Sequence, residues 1–141
     1  EFLKTIYDAR AEKPSTFLEF KKIIEPLMAE LEIEKAFLWR DLNVGFSGGE
    51  KRKIEVLQIK LLKPKYIILD EIDSGLDVNA VRQVAELLKA VNTEENSFIV
   101  ITHLFEMLQE LPLEKILILE QGKIKAIGGR ELMEQVKKEG F

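Results

Sequence analysis

Two adjacent carboxylates, Asp70 and Glu71, follow a run of four apolar residues at positions 66–69. The run is too short for a helix core, and Pro64 before it opposes helix continuation, so it predicts a short strand buried on both faces. In an open parallel sheet, ligands bind at the carboxyl ends of the strands. Paired acids there are costly unless they hold a cation or transfer a proton. Asp70 and Glu71 are therefore candidates for metal binding and acid–base chemistry.

A second candidate site precedes this strand, in the tetrapeptide Ser47-Gly48-Gly49-Glu50. Ser47 and Glu50 have the spacing of a capping box, which predicts a helix over Glu50–Leu62. A helix N-terminus presents unpaired N–H groups and partial positive charge, which suits a phosphate. Gly48 and Gly49 would let the backbone approach that phosphate without a side-chain clash. By itself, the pattern also fits a helix that is merely well capped.

The only histidine, His103, ends a second apolar segment, Phe98–Thr102. Between the two segments, apolar residues at helical spacing predict a helix over Val78–Val91. A strand–helix–strand unit predicts two parallel strands. A lone histidine is more often a core or surface residue, but this pairing would place His103 beside the two carboxylates. That position favours a functional role.

These stretches, taken in order, resemble the signature motif, Walker B, D-loop and H-loop of the ATP-binding cassette (ABC) ATPases. The resemblance implies that Asp70 orients Mg²⁺, that Glu71 polarises the attacking water, and that His103 reaches the γ-phosphate of ATP. It also implies that residues 47–50 contact a nucleotide held by the opposite subunit, and that Asp77 belongs to the D-loop that couples the two sites. ATP, Mg²⁺ and a homodimer are the expected cofactors and assembly.

The remaining elements fit the helical subdomain and the core of that fold. Residues 1–45 are expected to form the helical subdomain, and residues 46–141 the part of the core that carries the motifs. In the first part, the pattern predicts three helices: residues 1–10, a helix from Thr16 to Leu31 and a helix over Ile33–Leu42. The second begins with a Thr16–Glu19 capping box and kinks or breaks at Pro26. The aromatic and aliphatic residues at 37–39 are expected to pack in the core.

Past His103, the sequence predicts a short helix, a hairpin and a last helix: Leu104–Leu111, strands Lys115–Leu119 and Lys123–Ile127 around a two-residue turn, and Arg130–Lys138 with Gly140 at its C-cap. The predicted fold class is α/β, the C-terminal part of a P-loop ABC ATPase with parallel strands, flanking helices and a terminal β-hairpin.

Two positions narrow the resemblance further. Most ABC transporters have Gln after Ser-Gly-Gly and Pro after the Walker B glutamate, whereas this sequence has Glu50 and Ile72. Together with the segments 128–132 and 139–141, these residues resemble the Suf-type iron–sulfur cluster assembly ATPases, the SufC family. That resemblance implies a cytoplasmic ATPase that works with SufB- and SufD-like scaffold subunits.

Composition excludes several other kinds of site. The chain has 141 residues, a formal net charge of −4 and no cysteine, so it contains no disulfide, thiolate nucleophile or Cys-ligated metal. No basic stripe suggests a nucleic-acid partner, and no apolar run approaches the length of a transmembrane helix, so no membrane insertion is expected.

The phosphate-binding motif Gly-x-x-x-x-Gly-Lys-Ser/Thr does not occur in these residues. We therefore expect them to be the C-terminal part of a longer protein and to be inactive alone. Three alternatives remain open: a transporter's nucleotide-binding subunit, the C-terminal lobe of an SMC-type ATPase, and a non-enzymatic module that lends its signature motif to a partner. The sequence leaves open the actual partner, the oligomeric state, the reason for the missing motif and whether the chain binds ATP by itself.

Overall fold

The computed structural model describes residues 1–39 and 44–139, apart from the side chains of residues 39 and 139. Its helices are α1 (Phe2–Asp8), α2 (Phe17–Glu30), α3 (Gly48–Leu62), α4 (Val78–Val91), α5 (Phe105–Glu110) and α6 (Glu131–Glu139), with a 3-10 helix over Lys35–Trp39. Its strands are β1 (Tyr66–Asp70), β2 (Ser97–Ile101), β3 (Ile116–Glu120) and β4 (Lys123–Gly128). The α/β class that the sequence predicts is confirmed.

Strands β1 and β2 form a parallel pair, as the strand–helix–strand pattern predicts. The register runs from Tyr66 opposite Ser97 to Asp70 opposite Ile101. The connecting helix α4 buries the residues that its spacing predicts to face inward: Val81, Val84, Ala85, Leu88 and Val91. Because the strands are parallel and in this register, both carboxyl ends, and the loops that follow them, lie at one edge of the sheet.

The prediction that β1 is buried on both faces is wrong. Ile67 and Leu69 are buried in the core cluster that includes residues of α3 and α4, whereas Tyr66 and Ile68 are 81% and 66% exposed. The neighbouring strand β2 likewise exposes Ile99. The described helices cover one face of this sheet and leave an apolar surface on the other.

This open sheet face, formed by Tyr66, Ile68, Ile99 and Ile101, should make the chain self-associate. We expect the weight-average sedimentation coefficient to rise with protein concentration in sedimentation velocity experiments. Ile68→Lys should suppress that rise, because it places a charge in the patch. Leu18→Lys, at a 71% exposed position on α2, is the matched control. Equal suppression by both substitutions would show that association does not depend on the sheet face.

The helical part differs from its prediction where α2 ends. The structure has a 3-10 helix at Lys35–Trp39 in place of the expected helix Ile33–Leu42, whose residues 40–42 lie outside the described residues. Glu32 adopts a left-handed backbone (φ 52°), and the amides of Glu32 and Ile33 donate to the carbonyls of Ala29 and Met28. This is a Schellman cap, which ends α2 and turns the chain.

Pro26 lies within α2, which continues through it to Glu30, so the predicted alternative of a break there is wrong. The aromatic side chain of Phe37 is buried, as expected, and Leu38 packs against the core, whereas the side chain of Trp39 lies outside the described residues. Gly140, the predicted C-cap of the last helix, also lies outside them.

The hairpin β3–β4 turns at Gln121-Gly122, where both residues have positive φ angles (48° and 75°). Two positive φ values are typical of a type I′ turn, so the predicted two-residue connection is confirmed. In the described parts of the chain, no helix is long and apolar enough to span a membrane.

Candidate functional site

Glu71 and His103 lie together at the carboxyl end of the parallel strand pair. The Oε1 atom of Glu71 is 3.7 Å from Nδ1 of His103. Both side chains are more than half exposed, at 56% and 63%. The structure therefore brings together the carboxylate and the imidazole that the sequence predicts to act on one water and one phosphate.

The backbone of Glu71 turns sharply away from β1. Its φ angle is +46°, in the left-handed region that non-glycine residues rarely adopt. The Glu71 amide donates to the carbonyl of Ile101 at 2.9 Å, and the Glu71 carbonyl accepts from the Ser74 amide at 3.0 Å. These bonds hold Glu71 in an unfavourable conformation, as is common at functional sites.

Asp70 is the last residue of β1, and its side chain is exposed. Within residues 1–39 and 44–139, no group of three His, Cys, Asp or Glu side chains could hold a metal ion. Mg²⁺ is commonly bound by one or two carboxylates, with waters and substrate phosphates as its other ligands. Asp70 fits that role as one oxygen donor beside Glu71.

The signature segment, residues 47–50, has the geometry that its sequence predicts. Ser47 caps α3: its hydroxyl accepts from the Glu50 amide at 3.3 Å, while the Glu50 carboxylate accepts from the Ser47 amide at 2.7 Å. Gly48 and Gly49 are exposed, and a Cβ atom added to Gly49 would meet no atom within 4 Å. The N-terminus of α3 is thus an open surface suited to a phosphate.

Replacing Ser47 with Ala should lower the free energy of unfolding by about 0.5–2 kcal/mol, because the cap of α3 is lost. Thr16→Ala, which removes the matching capping box of α2, is the control and should cost a similar amount. Chemical denaturation of both variants measures the effect. If Ser47 also contacts a nucleotide, Ser47→Ala should reduce the ATPase activity of the protein encoded by the complete gene, whereas Thr16→Ala should not. Equal activities of these two variants would exclude that role.

The predicted D-loop connects β1 to α4. Asp77 caps α4, since its Oδ1 atom accepts from the Ala80 amide at 2.9 Å. Leu76 lies beside the signature segment: a Cβ atom added to Gly48 would be 3.4 Å from Leu76 Cδ2. Asp77 thus has a structural function in this chain besides its predicted role in coupling two sites.

One pair of residues near the site was not predicted. Asp73 is fully buried (0% exposed), and its Oδ2 atom accepts a hydrogen bond from the Thr102 hydroxyl. The Thr102 oxygen in turn accepts from the Leu104 amide at 2.8 Å. An acidic residue after Ile72 gives no sequence signal of burial, because its partner is 29 positions away.

Comparison with known proteins finds relatives that are named as ATP-dependent transporters or as SufC proteins. The chain is 37% identical to "Probable ATP-dependent transporter ycf16" of Cyanidium caldarium over 145 residues, covering 100% of this chain and 57% of that protein. It is 35% identical to "Probable ATP-dependent transporter SufC" of Escherichia coli (99% and 58% covered). It is 34% identical to "Iron-sulfur cluster assembly protein SufC" of Plasmodium falciparum (100% and 42% covered). The chain therefore spans between 42% and 58% of the length of these relatives.

No protein-family model matches the chain. Among solved structures, it resembles the ATP-binding cassette of an ABC transporter in its ADP conformation, with a TM-score of 0.70 and 19% identity over 92% of this chain and 50% of that one. This likeness shows the fold. The matches to SufC and ycf16 proteins, which extend over this whole chain, agree with that fold and with the motif order: the chain is similar over its whole length to SufC-type ABC ATPases.

Proposed function

We propose that this protein is the ATP-hydrolysing subunit of a Suf-type iron–sulfur cluster assembly complex, acting in the cytoplasm with SufB- and SufD-like scaffold subunits. The observation that carries the proposal is the Glu71–His103 pair at the carboxyl ends of two parallel strands. A relative named for iron–sulfur cluster assembly, matched over the whole chain, supports the choice of complex. The absence of cysteine is consistent with cluster chemistry residing in the partners.

ATP hydrolysis needs an oriented water and neutralised negative charge at the γ-phosphate. Glu71 would polarise the water as a general base, and His103, within 3.7 Å of that carboxylate, would donate a hydrogen bond to the γ-phosphate. Asp70 would hold Mg²⁺, which, when bound, neutralises phosphate charge. The exposure of Glu71 and His103 leaves room for the nucleotide.

The signature segment would act on a second subunit. Its exposed helix N-terminus, Ser47 to Glu50, offers amide groups to a phosphate that this chain does not itself cradle. We propose a homodimer in which each α3 completes the partner's site. A structural relative described by ATP-driven dimerization of SMC ATPases supports this arrangement, with a TM-score of 0.50 and 25% identity over 68% of this chain and 65% of that one.

Two measurements test the proposal. The protein as its gene encodes it should hydrolyse Mg²⁺-ATP and be stimulated by SufB- and SufD-like proteins; no hydrolysis in their presence would contradict it. The 141-residue chain alone should hydrolyse no ATP, because its sequence does not contain the phosphate-binding motif Gly-x-x-x-x-Gly-Lys-Ser/Thr. Activity of the purified chain that is lost with Glu71→Gln would show that this second expectation is wrong.

A transporter subunit is the second candidate, because two of the relatives are named as probable ATP-dependent transporters. Such a subunit would use the same catalytic residues but would dock on membrane helices. Affinity purification from cells separates the two: scaffold proteins in the detergent-free fraction favour cluster assembly, whereas an integral membrane partner favours transport. Stimulation of a complete ATPase by the 141-residue chain alone would instead favour a module that lends its signature motif.

A further inference from the structure

The loops that carry Glu71 and His103 are joined below their exposed side chains. Asp73 lies two residues after Glu71, and Thr102 lies immediately before His103. The Thr102 hydroxyl donates to the buried Asp73 carboxylate and accepts from the Leu104 amide. Because the catalytic side chains are mostly exposed, few neighbours fix them directly, so their separation depends on the backbone beneath them.

Stability alone does not account for a carboxylate at position 73. The Oδ1 atom of Asp73 is buried and has no hydrogen-bond partner among the described residues. A buried polar atom without a partner destabilises the folded state, and an apolar side chain of similar size would avoid this cost. What the carboxylate adds is the hydrogen bond to Thr102, which joins the two loops.

We propose that Asp73 is a positioning residue that, through Thr102, sets the distance between the Glu71 carboxylate and the His103 imidazole. It touches neither water nor phosphate in this role. The effect of Asp73 on catalysis rests on the proposed ATPase function. The linkage between the two loops through Asp73 and Thr102 is a property of the folded chain and can be measured without nucleotide.

His103 is the only histidine of the 141 residues, so its ring signals in ¹H–¹³C NMR spectra of this chain are unambiguous. In the parent chain, Glu71→Gln should shift these signals, because the lost charge lies 3.7 Å from Nδ1. In a Thr102→Val background, which replaces the hydroxyl with a methyl group, we expect the response to Glu71→Gln to be lost. Thr102→Ser and Asp73→Asn keep a donor and an acceptor, and should preserve it.

An equal response in the parent and Thr102→Val backgrounds would overturn the proposal, as would no response in the parent. If circular dichroism shows that Thr102→Val does not fold, the double variant Asp73→Val/Thr102→Val replaces both polar partners with apolar groups and tests the same linkage. An inactive protein with the expected spectra would refute the ATPase function and leave the linkage intact. In an active protein, Thr102→Val should lower kcat and leave KM for ATP unchanged.

Discussion

Replacing Glu71 with Gln should reduce ATP hydrolysis by the protein as its gene encodes it by about 10²- to 10⁴-fold, the range that a general base contributes. The amide keeps the size of the side chain but accepts no proton from the attacking water. Since Glu71 is exposed and its backbone hydrogen bonds do not involve the side chain, folding should be unaffected. Single-turnover hydrolysis of Mg²⁺-ATP, measured beside nucleotide binding, separates the loss of chemistry from a loss of affinity.

Glu95→Gln is the matched control, because Glu95 is an exposed carboxylate in the turn between α4 and β2. It makes the same change in charge away from the strand ends and should leave the rate unchanged. A Glu71→Gln protein that retains nearly full activity would exclude Glu71 as the general base and would leave Asp70 as the candidate for that role.

Replacing Leu57 with Ala should lower the free energy of unfolding by about 2–5 kcal/mol. Leu57 is fully buried in α3, within the core cluster shared with α2, α4 and β1. The substitution removes buried apolar surface and leaves a cavity that the surrounding helices fill only in part. Since domains are stable by only about 5–15 kcal/mol, the variant should unfold at a markedly lower denaturant concentration.

Leu18→Ala makes the same change at a 71% exposed position and should alter stability by no more than about 0.5 kcal/mol. Urea titration followed by circular dichroism measures both variants. Similar midpoints for Leu57→Ala and the parent chain would mean that α3 does not pack as the structure shows, and the signature segment would then have no fixed support.

The features that were predictable from sequence depend on local rules. The capping boxes at Thr16 and Ser47, the inward face of α4 and the turn at Gln121-Gly122 each follow from residues within one or two turns of the chain. Their backbone hydrogen bonds and side-chain directions are set by short-range geometry.

The features that the sequence analysis missed depend on distant contacts or on a backbone conformation that the residue type does not indicate. Four apolar residues indicate a strand, but which face is covered depends on what packs against it, so the exposure of Tyr66 and Ile68 was missed. The Asp73–Thr102 bond joins positions 29 apart. The Schellman cap at Glu32 places a non-glycine residue in a left-handed conformation, and no residue preference signals that.

The left-handed backbone of Glu71 bears on directed evolution of this protein. A non-glycine residue in that conformation costs roughly 1–2 kcal/mol, and glycine largely avoids the cost. A library screened only for heat tolerance should therefore enrich glycine at position 71, whereas a screen for turnover should return glutamate. Position 71 is thus a place where selection for heat tolerance and selection for turnover favour different residues.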